Sequence, residues 1–205
     1  TQELQLLFTG ERLQGVAGLF YLDGEADGAF DTVVGQIATT TATAGYVDTK
    51  SWSAFADFSY DLTDALTLSL GGRYTKDEKE GYVFRANYAG TPSPLFGGAP
   101  RPVALQRSLF TTTKEFEKFT PRISLRYEVN PDITTYVSYS QGFKSGGIDM
   151  RGDAILTPGV VNGYEPETVD SYEAGLKGYF FDRRLSLNTA LFYSDYQDQQ
   201  ITLQT

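Results

Sequence analysis

Residues 119–140 read FTPRISLRYEVNPDITTYVSYS, and this stretch decides the fold class. In residues 119–129, apolar side chains such as Leu125 alternate with polar side chains such as Arg126. Alternation with a period of two indicates a β-strand whose two faces meet different surroundings. The alternation stops at the turn sequence Asn-Pro-Asp and begins again in residues 133–140. The stretch therefore predicts two antiparallel strands joined by a tight turn.

The same alternation recurs through the rest of the chain. It is found in residues 2–8, 13–22, 52–61, 66–75, 172–180 and 185–194. A helical interpretation fails, because Arg73, Arg126 and Lys177 would then fall among apolar neighbours. We predict an all-β chain of about eight strands.

The segments that join these strands alternate strictly between short and long. The short segments are residues 9–12, 61–64, 130–132 and 182–184, and the long ones are roughly 23–50, 77–115 and 144–168. An up-and-down sheet in an outer membrane has this arrangement, with short periplasmic turns and long outer loops. Strands of about ten residues also match the length needed to cross a bilayer at a tilt. The long segments, which include AGTPSPLFGGAPRP, are predicted to form surface loops rather than helix or strand.

The chemistry of the two faces favours a membrane sheet but does not decide the matter alone. A soluble sheet packs its apolar face inward, whereas a membrane barrel turns that face to lipid and its polar face to a wet bore. Aromatic side chains near the ends of the apolar faces, such as Trp52 and Tyr74, are typical of an interfacial girdle. Charges within the opposite faces, such as Arg122 and Lys177, suit a wet lumen. A soluble β-sandwich stays open as an alternative, and it would bury Leu68 between two sheets.

Composition excludes several classes of function. The chain has 205 residues and neither cysteine nor histidine, which excludes a disulfide framework, a thiol nucleophile and a Ser-His triad. Its net charge of -9 argues against a nucleic-acid partner, which would need a basic surface. We therefore expect no enzymatic activity, no cofactor, no resident metal and no nucleic acid.

Three segments resemble the C-terminal barrel of TonB-dependent outer-membrane receptors. They are residues 119–147, with YVSYSQGFKSGG after the turn, residues 164–184, with EPET before SYEAGLKG, and residues 191–201, LFYSDYQDQQI. The upstream sequences QELQLLF, GVAGLFYLDGE and AFADFSYDLTDALTLSLGGRYTKDEK also look like hairpins of such barrels. The resemblance covers nearly the whole chain.

The resemblance implies a 22-stranded barrel with a plugged lumen. It also implies import of a ferric siderophore, cobalamin, haem or a sugar, with energy delivered by an inner-membrane complex to an N-terminal TonB box. Residues 1–205 are too few for 22 strands. We therefore predict a partial TonB-dependent receptor β-barrel domain, without the plug domain, the TonB box or the terminal aromatic strand.

Two architectures are compatible with such a fragment. It is an antiparallel up-and-down transmembrane β-barrel segment of about eight strands, and it forms either an open curved arc of a larger barrel or a complete small eight-stranded barrel. Unpaired strand edges in lipid are costly, so the arc needs neighbouring strands. The closed barrel, with a structural or binding role, would pair residues 2–8 with residues 185–203.

For the arc, the resemblance implies part of a receptor that binds and imports a scarce nutrient, with a ferric siderophore as the expected ligand. The expected partners are outer-membrane lipid, a ferric siderophore or similar small ligand, and the TonB complex through the missing N-terminal part. The expected location is the outer membrane of a Gram-negative bacterium.

Candidate ligand contacts lie on the polar strand faces and in the long segments. Those predicted to face the lumen are Arg73, Arg122, Arg126, Glu173 and Lys177. They would either pair across strands and dock the plug or meet an anionic ligand. Those predicted in or beside outer loops are Lys144, Tyr88, Phe96 and Tyr164, because exposed loop aromatics are recurrent binding contacts.

An acidic cluster lies just beyond residues 66–75. Asp77, Glu78 and Glu80 are mixed with lysines and are predicted to form a solvated strand extension above the membrane. A calcium site is the less favoured alternative, since carboxylates and carbonyls suffice for one.

Overall fold

The computed structural model describes residues 1–98 and 102–201. The strands are β1 (Gln2–Thr9), β2 (Leu13–Val34), β3 (Thr39–Thr63), β4 (Leu66–Ala89), β5 (Val103–Asn130), β6 (Ile133–Lys144), β7 (Glu167–Phe180) and β8 (Leu185–Gln197). Two short 3₁₀ helices lie at Gly35–Ile37 and Pro158–Asn162. The strands form one antiparallel sheet in chain order, which confirms the up-and-down, all-β prediction.

The sheet is one unclosed layer. Its order runs from β1 at one edge to β8 at the other, with no pairing between these two strands in the described part of the chain. The open arc is therefore confirmed, and the closed eight-stranded barrel is wrong as far as residue 201, since 202–203 lie outside the described residues. The soluble sandwich is also wrong, because all eight strands belong to a single sheet.

The register aligns the predicted faces across neighbouring strands. One row of directly paired residues consists of Leu68, Leu125, Val137, Ala174 and Leu191. The next row on the opposite face consists of Ser59, Ser69, Ser124, Ser138 and Glu173. Val137 and Leu191 are 53% and 81% exposed, so these parts of the apolar face are not covered by the described residues. Such a continuous apolar surface suits hydrocarbon and not water.

Aromatic rings form two clusters on this apolar face, as predicted. The centroids of the Trp52 and Tyr74 rings are 5.4 Å apart. On the other side of the arc, Tyr139 lies 5.1 Å from Tyr172, which lies 6.4 Å from Tyr193. Amphipathic rings favour the boundary between hydrocarbon and water, so they mark the outer edge of the membrane-spanning segments.

Two of the three predicted outer loops are largely strand, which corrects the sequence analysis. Residues 23–34 and 39–50 extend the β2–β3 hairpin, and residues 77–89 and 103–115 extend the β4–β5 hairpin. The strands are thus up to 28 residues long instead of about ten. Antiparallel pairing continues beyond the membrane in both hairpins, with register shifts in β4–β5 only between Arg85 and Ala86 and between Asn87 and Tyr88. The Gly- and Pro-rich sequence occupies only the hairpin tip, where residues 99–101 lie outside the described residues.

The short turns are confirmed, and the third long segment is a true loop. It comprises residues 145–166, which contain one 3₁₀ helix and an isolated β-bridge between Gly147 and Tyr164. Across the described ranges, no helix is long and apolar enough to cross a membrane.

Candidate functional site

The inner face of the arc carries paired charges in the membrane-spanning strands. Arg122 on β5 lies 3.1 Å from the carboxylate of Asp57 on β3. Arg126 donates to the Thr67 hydroxyl at 3.1 Å and pairs with Glu128 at 3.2 Å. Both arginines face the lumen as predicted, and both already have partners in the wall.

Glu173 and Lys177 are connected by an aromatic side chain that the sequence analysis did not select. The Tyr136 hydroxyl on β6 donates to the Glu173 carboxylate on β7. The Lys177 Nζ lies 5.5 Å from the centre of the Tyr136 ring. Lys177 and Glu173 thus both contact the neutral Tyr136 side chain instead of forming a direct ion pair with each other.

Arg73 is held between two aromatic rings on the inner face. Its guanidinium carbon lies 5.2 Å from the Phe20 ring centre and 5.6 Å from that of Phe55. Its Nε donates to the Thr75 hydroxyl at 3.2 Å. The rings fix the side chain without neutralising it, because a cation over an aromatic face keeps its charge.

Outside the membrane, loop 145–166 folds back onto the inner face of β4 and β5. The Lys79 Nζ donates to the Gly146 carbonyl at 2.7 Å. The Arg85 Nη1 donates to the Arg151 carbonyl at 2.6 Å, and the Ser108 hydroxyl donates to the Gly152 carbonyl at 2.7 Å. Three side chains of the wall therefore satisfy carbonyls of one loop; we call residues 145–166 the docked loop.

The apolar side of this contact is the small core of the chain. Ile148 is 7% exposed and lies over Gly81, where a Cβ atom would come within 2.7 Å of its Cδ1. Phe116 is also 7% exposed and Val83 is fully buried. Glycine at position 81 leaves the space that lets the loop approach the strand.

Asp153 is the charged centre of the contact. It is 10% exposed, its carboxylate accepts from Arg107, and Arg85 lies 3.9 Å away. Burial acts to raise its pKa, but the hydrogen bonds from Arg107 and from the backbone N–H groups of Leu156 and Ile155 together hold the pKa below its ordinary value. The pKa of Lys79 is also lowered, but here burial is the cause, and the charge of Asp77 only partly offsets it.

The candidates in the outer segments fall into two separate places. Lys144 and Tyr164 line an open cavity of about 670 Å³ between the docked loop and the segment after β8. Arg151 and Glu165 line it as well. Tyr88 lies within β4 and not in a loop, which corrects the prediction. Phe96 is at the tip of the β4–β5 hairpin and is 64% exposed.

The acidic cluster is divided between the two faces of β4. Glu78 and Glu80 are exposed on the outer face, whereas Asp77 is on the inner face and only 8% exposed. The strand extension is confirmed, but the prediction of full solvation is wrong for Asp77. Within residues 1–98 and 102–201, no group of three or more acidic side chains is arranged to hold a metal ion.

The sequence analysis missed the residues that hold the docked loop. Lys79 and Arg85 are separated from Arg73 by even numbers of residues along β4, so all three lie on the same face of the strand. Extending the alternation beyond residue 75 would have placed them on the inner face. The role of Asp153 could not be predicted from the sequence, because its arginine partners lie on strands more than 40 positions away.

Comparison with known proteins identifies relatives of this sheet. The family model described as "TonB dependent receptor-like, beta-barrel" matches residues 1–205. The chain is 36% identical over 75 residues to the metal-pseudopaline receptor CntO of Pseudomonas aeruginosa, covering 36% of this chain and 9% of that receptor. It is 28% identical over 146 residues to the ferric-pyoverdine M114 receptor PbuA of Pseudomonas sp. strain M114, covering 70% of this chain and 15% of that receptor.

A solved structure shares the fold. The ferric yersiniabactin uptake receptor FyuA of Yersinia pestis superposes with a TM-score of 0.76 at 18% identity, covering 97% of this chain and 28% of FyuA. The chain thus spans between 9% and 15% of the two curated relatives named above.

Proposed function

Because the chain belongs to the family of TonB-dependent receptor-like β-barrels, we propose that it forms part of the wall and outer loops of a receptor that imports a ferric siderophore. The family lies in the outer membrane of Gram-negative bacteria, and this chain is a segment of such a barrel. Eight strands are about a third of the 22 that outer-membrane transporters of this kind possess.

One observation carries the proposal more than any other. The eight strands align an apolar row against a polar row without closing on themselves. A wall of this kind needs lipid on one side, a wet bore on the other and further strands at both edges. A transport receptor supplies all three.

The ligand is proposed from the names of the relatives. PbuA is named for ferric pyoverdine and CntO for a metal-pseudopaline complex, so a metal chelate is the ligand class that these relatives support. We take a ferric siderophore as the substrate of the receptor that contains this chain.

The proposed ligand contacts fall into two groups. Arg73, Arg122, Arg126, Glu173 and Lys177 already contact neighbours in the wall, which supports a role in lining the passage. The outer group is proposed to meet the arriving chelate and consists of Lys144, Tyr88, Phe96 and Tyr164. Cations and aromatic faces suit an anionic, partly aromatic chelate.

The partner that supplies energy is proposed on family grounds. The receptor would work with TonB through a segment outside residues 1–205. The wall described above would then act as the fixed scaffold around the moving parts.

An uptake experiment tests the proposed function. The gene for the whole receptor is deleted and restored in its host, and radioactive iron is supplied as ferric pyoverdine, with cobalamin and haem uptake measured in parallel. We expect the deletion to abolish accumulation of iron from the siderophore and to leave cobalamin and haem unaffected. Loss of cobalamin or haem uptake instead would contradict the siderophore assignment.

A further inference from the structure

Met150 carries the only sulfur atom of the chain, because residues 1–205 contain one methionine and no cysteine. It lies in the docked loop, between the buried Ile148 and the Arg151 carbonyl that accepts from Arg85. Its side chain is partly exposed and not enclosed. A thioether that oxidants can reach thus lies at the contact between an outer loop and the wall of the barrel.

Met150 packs against a pair of glycines on the β2–β3 hairpin. Gly28 and Gly45 are directly paired, and Gly45 is paired on its other side with the fully buried Val83 of β4. A Cβ atom at Gly28 would come within 2.9 Å of the Met150 Cε, and one at Gly45 within 3.6 Å of the Met150 Cβ. The two glycines therefore leave the space that this side chain occupies.

Through Met150 the docked loop contacts a hairpin other than the one that supplies its hydrogen bonds. The wall side chains that donate to loop carbonyls, Lys79, Arg85 and Ser108, belong to β4 and β5. Met150 lies over β2 and β3 instead. An unbranched, flexible thioether fills such a gap well as long as it stays apolar. The contact with β2 and β3 thus includes a side chain whose polarity a chemical reaction can change.

Oxidation by a hydroperoxide, such as hydrogen peroxide, makes that change. A lone pair of the Met150 sulfur attacks one peroxide oxygen, and a sulfur–oxygen bond forms as the oxygen–oxygen bond breaks. The second oxygen leaves as water with both protons of the peroxide, so sulfur loses two electrons and the peroxide gains them. The product, methionine sulfoxide, is polar and disrupts apolar contacts, and methionine sulfoxide reductases restore the thioether.

We infer that Met150 is an oxidation site that controls the docking of residues 145–166. As a thioether it packs over Gly28 and Gly45, and the loop stays on the wall. As a sulfoxide it carries a polar group that has to lose water to occupy the same space, which favours the undocked loop. A peroxide in the medium reaches the side chain, because the docked loop lies beyond the membrane and Met150 is partly exposed. The inference goes beyond the proposed function and holds whichever ligand the receptor imports.

Trypsin cleavage after Arg151 measures docking in the whole receptor purified in detergent. The bond between Arg151 and Gly152 is protected in the docked loop, because Gly152 is buried and the Arg151 carbonyl accepts from Arg85. After treatment with hydrogen peroxide, mass spectrometry should find one added oxygen at Met150. Cleavage should then be about tenfold faster, since its rate follows the population of the open loop. Methionine sulfoxide reductase should return cleavage to the original rate.

Three variants separate oxidation of Met150 from other effects of peroxide. Met150→Leu keeps the volume and the apolar character, so it should dock as the wild type does, with cleavage that peroxide does not change. Met150→Gln imitates the polarity of the sulfoxide and should be cleaved as fast as the oxidised wild type without peroxide. Leu156→Met, added to Met150→Leu, is the matched control, because position 156 is in the same loop and 71% exposed. This control should be oxidised without faster cleavage.

Complete oxidation of Met150 with an unchanged rate of cleavage would overturn the inference. Equal acceleration by peroxide in Met150→Leu would do the same, since the effect would then come from elsewhere. A Met150 that stays reduced while the methionine at position 156 of the control is oxidised would show that the wall shields it, which also overturns the inference. Loss of siderophore uptake in none of the uptake assays contradicts the proposed function alone, because docking is measured without ligand.

Discussion

Asp153 shows how one carboxylate fixes an outer loop on the wall. The Asp153 carboxylate lies beside Arg107 and Arg85 and accepts hydrogen bonds from two backbone N–H groups of its own loop. Hydrogen bonds to a charged group contribute more than those between neutral groups, and a partner left unpaired in a buried site adds a further cost. The docking of the loop therefore depends on this side chain more than on any single carbonyl contact.

Replacing the carboxylate should loosen the docked loop. We expect Asp153→Asn to reduce the local stability of residues 148–157 by about 2 kcal/mol, since the charged acceptor is lost while Arg107 and Arg85 remain. Hydrogen exchange of the whole receptor measures this as faster exchange in that segment. Asp149→Asn is the control, because Asp149 is half-exposed and pairs only with Arg151 of the same loop. Equal exchange in both variants would contradict the role of Asp153.

The same carboxylate predicts an acid-dependent release. The pKa of Asp153 is lower in the folded chain than its ordinary value near 4. Its stabilising contribution is thus fully present above the ordinary pKa and is lost as the pH falls through the lowered value. A dye attached at exposed position 156, through Leu156→Cys in a chain that has no other cysteine, reports the release. We expect the loop to stay docked at pH 5 and to detach only below pH 4, and a release near neutral pH would refute this.

Single residues also show what alternation can and cannot predict. The parity of the strands placed Arg122 and Glu173 on the inner face, where the structure has them. The partner of Arg122 is Asp57, 65 positions away, and that contact depends on the register of three strands. The alternation within one strand does not determine its register with the neighbouring strands, so the partners could not be predicted from the sequence. Ligand contact by these residues stays a prediction.

At the scale of elements, the strand cores were predictable and their extensions were not. Residues 66–75 alternate because one face meets hydrocarbon and the other a wet bore. Beyond the membrane, the outer face of β4 meets water while its inner face meets the docked loop, and the sequence TKDEKEGY has no apolar alternation to detect. The extension forms because a hairpin that is already in register continues its ladder of hydrogen bonds.

The opposite faces of β6 should respond differently to a charge. Val137 lies on the apolar face at mid-strand, and Ser138 beside it lies on the inner face. We expect Val137→Arg to destabilise the barrel by about 2–4 kcal/mol, the cost of an arginine near the middle of the bilayer. Ser138→Arg should be tolerated, because its side chain enters the wet lumen. Urea unfolding of the whole receptor in detergent or lipid measures both, and equal destabilisation would show that the faces are assigned wrongly.

The docked loop should depend on its close contact with the β4–β5 hairpin at Gly81. Gly81→Val should displace Ile148, because even a Cβ atom at this position would come within 2.7 Å of its Cδ1. Limited proteolysis should then cut the loop faster while the membrane-spanning strands stay folded. Gly24→Val is the control, since a Cβ atom there would meet only Leu22, at 3.7 Å. Unchanged cleavage in Gly81→Val would mean that the loop does not depend on this contact.

At the scale of the whole molecule, alternation alone could not choose between an arc and a closed barrel. Both architectures need the same apolar and polar rows, and closure depends on strand number, tilt and stagger together. The resemblance of residues 119–147 and 164–184 to a much larger barrel favoured the arc. The unclosed order from β1 to β8 agrees, and it leaves the paired row that ends at Leu191 open to a further strand.

Disulfide trapping in the whole receptor tests this arc directly, since the chain contains no cysteine of its own. Ala174 and Leu191 are directly paired on β7 and β8, so cysteines at both positions should cross-link, because facing residues have Cα atoms roughly 4.5–5.5 Å apart. Leu6 on β1 lies on the same face, but seven strand spacings of roughly 4.8 Å put it about 34 Å around the wall from β8. Cysteines at positions 6 and 191 should therefore stay reduced under the conditions that oxidise the first pair. Efficient cross-linking of the second pair within one monomer would mean that the sheet closes on itself, and the wall of a large import receptor would have to be abandoned.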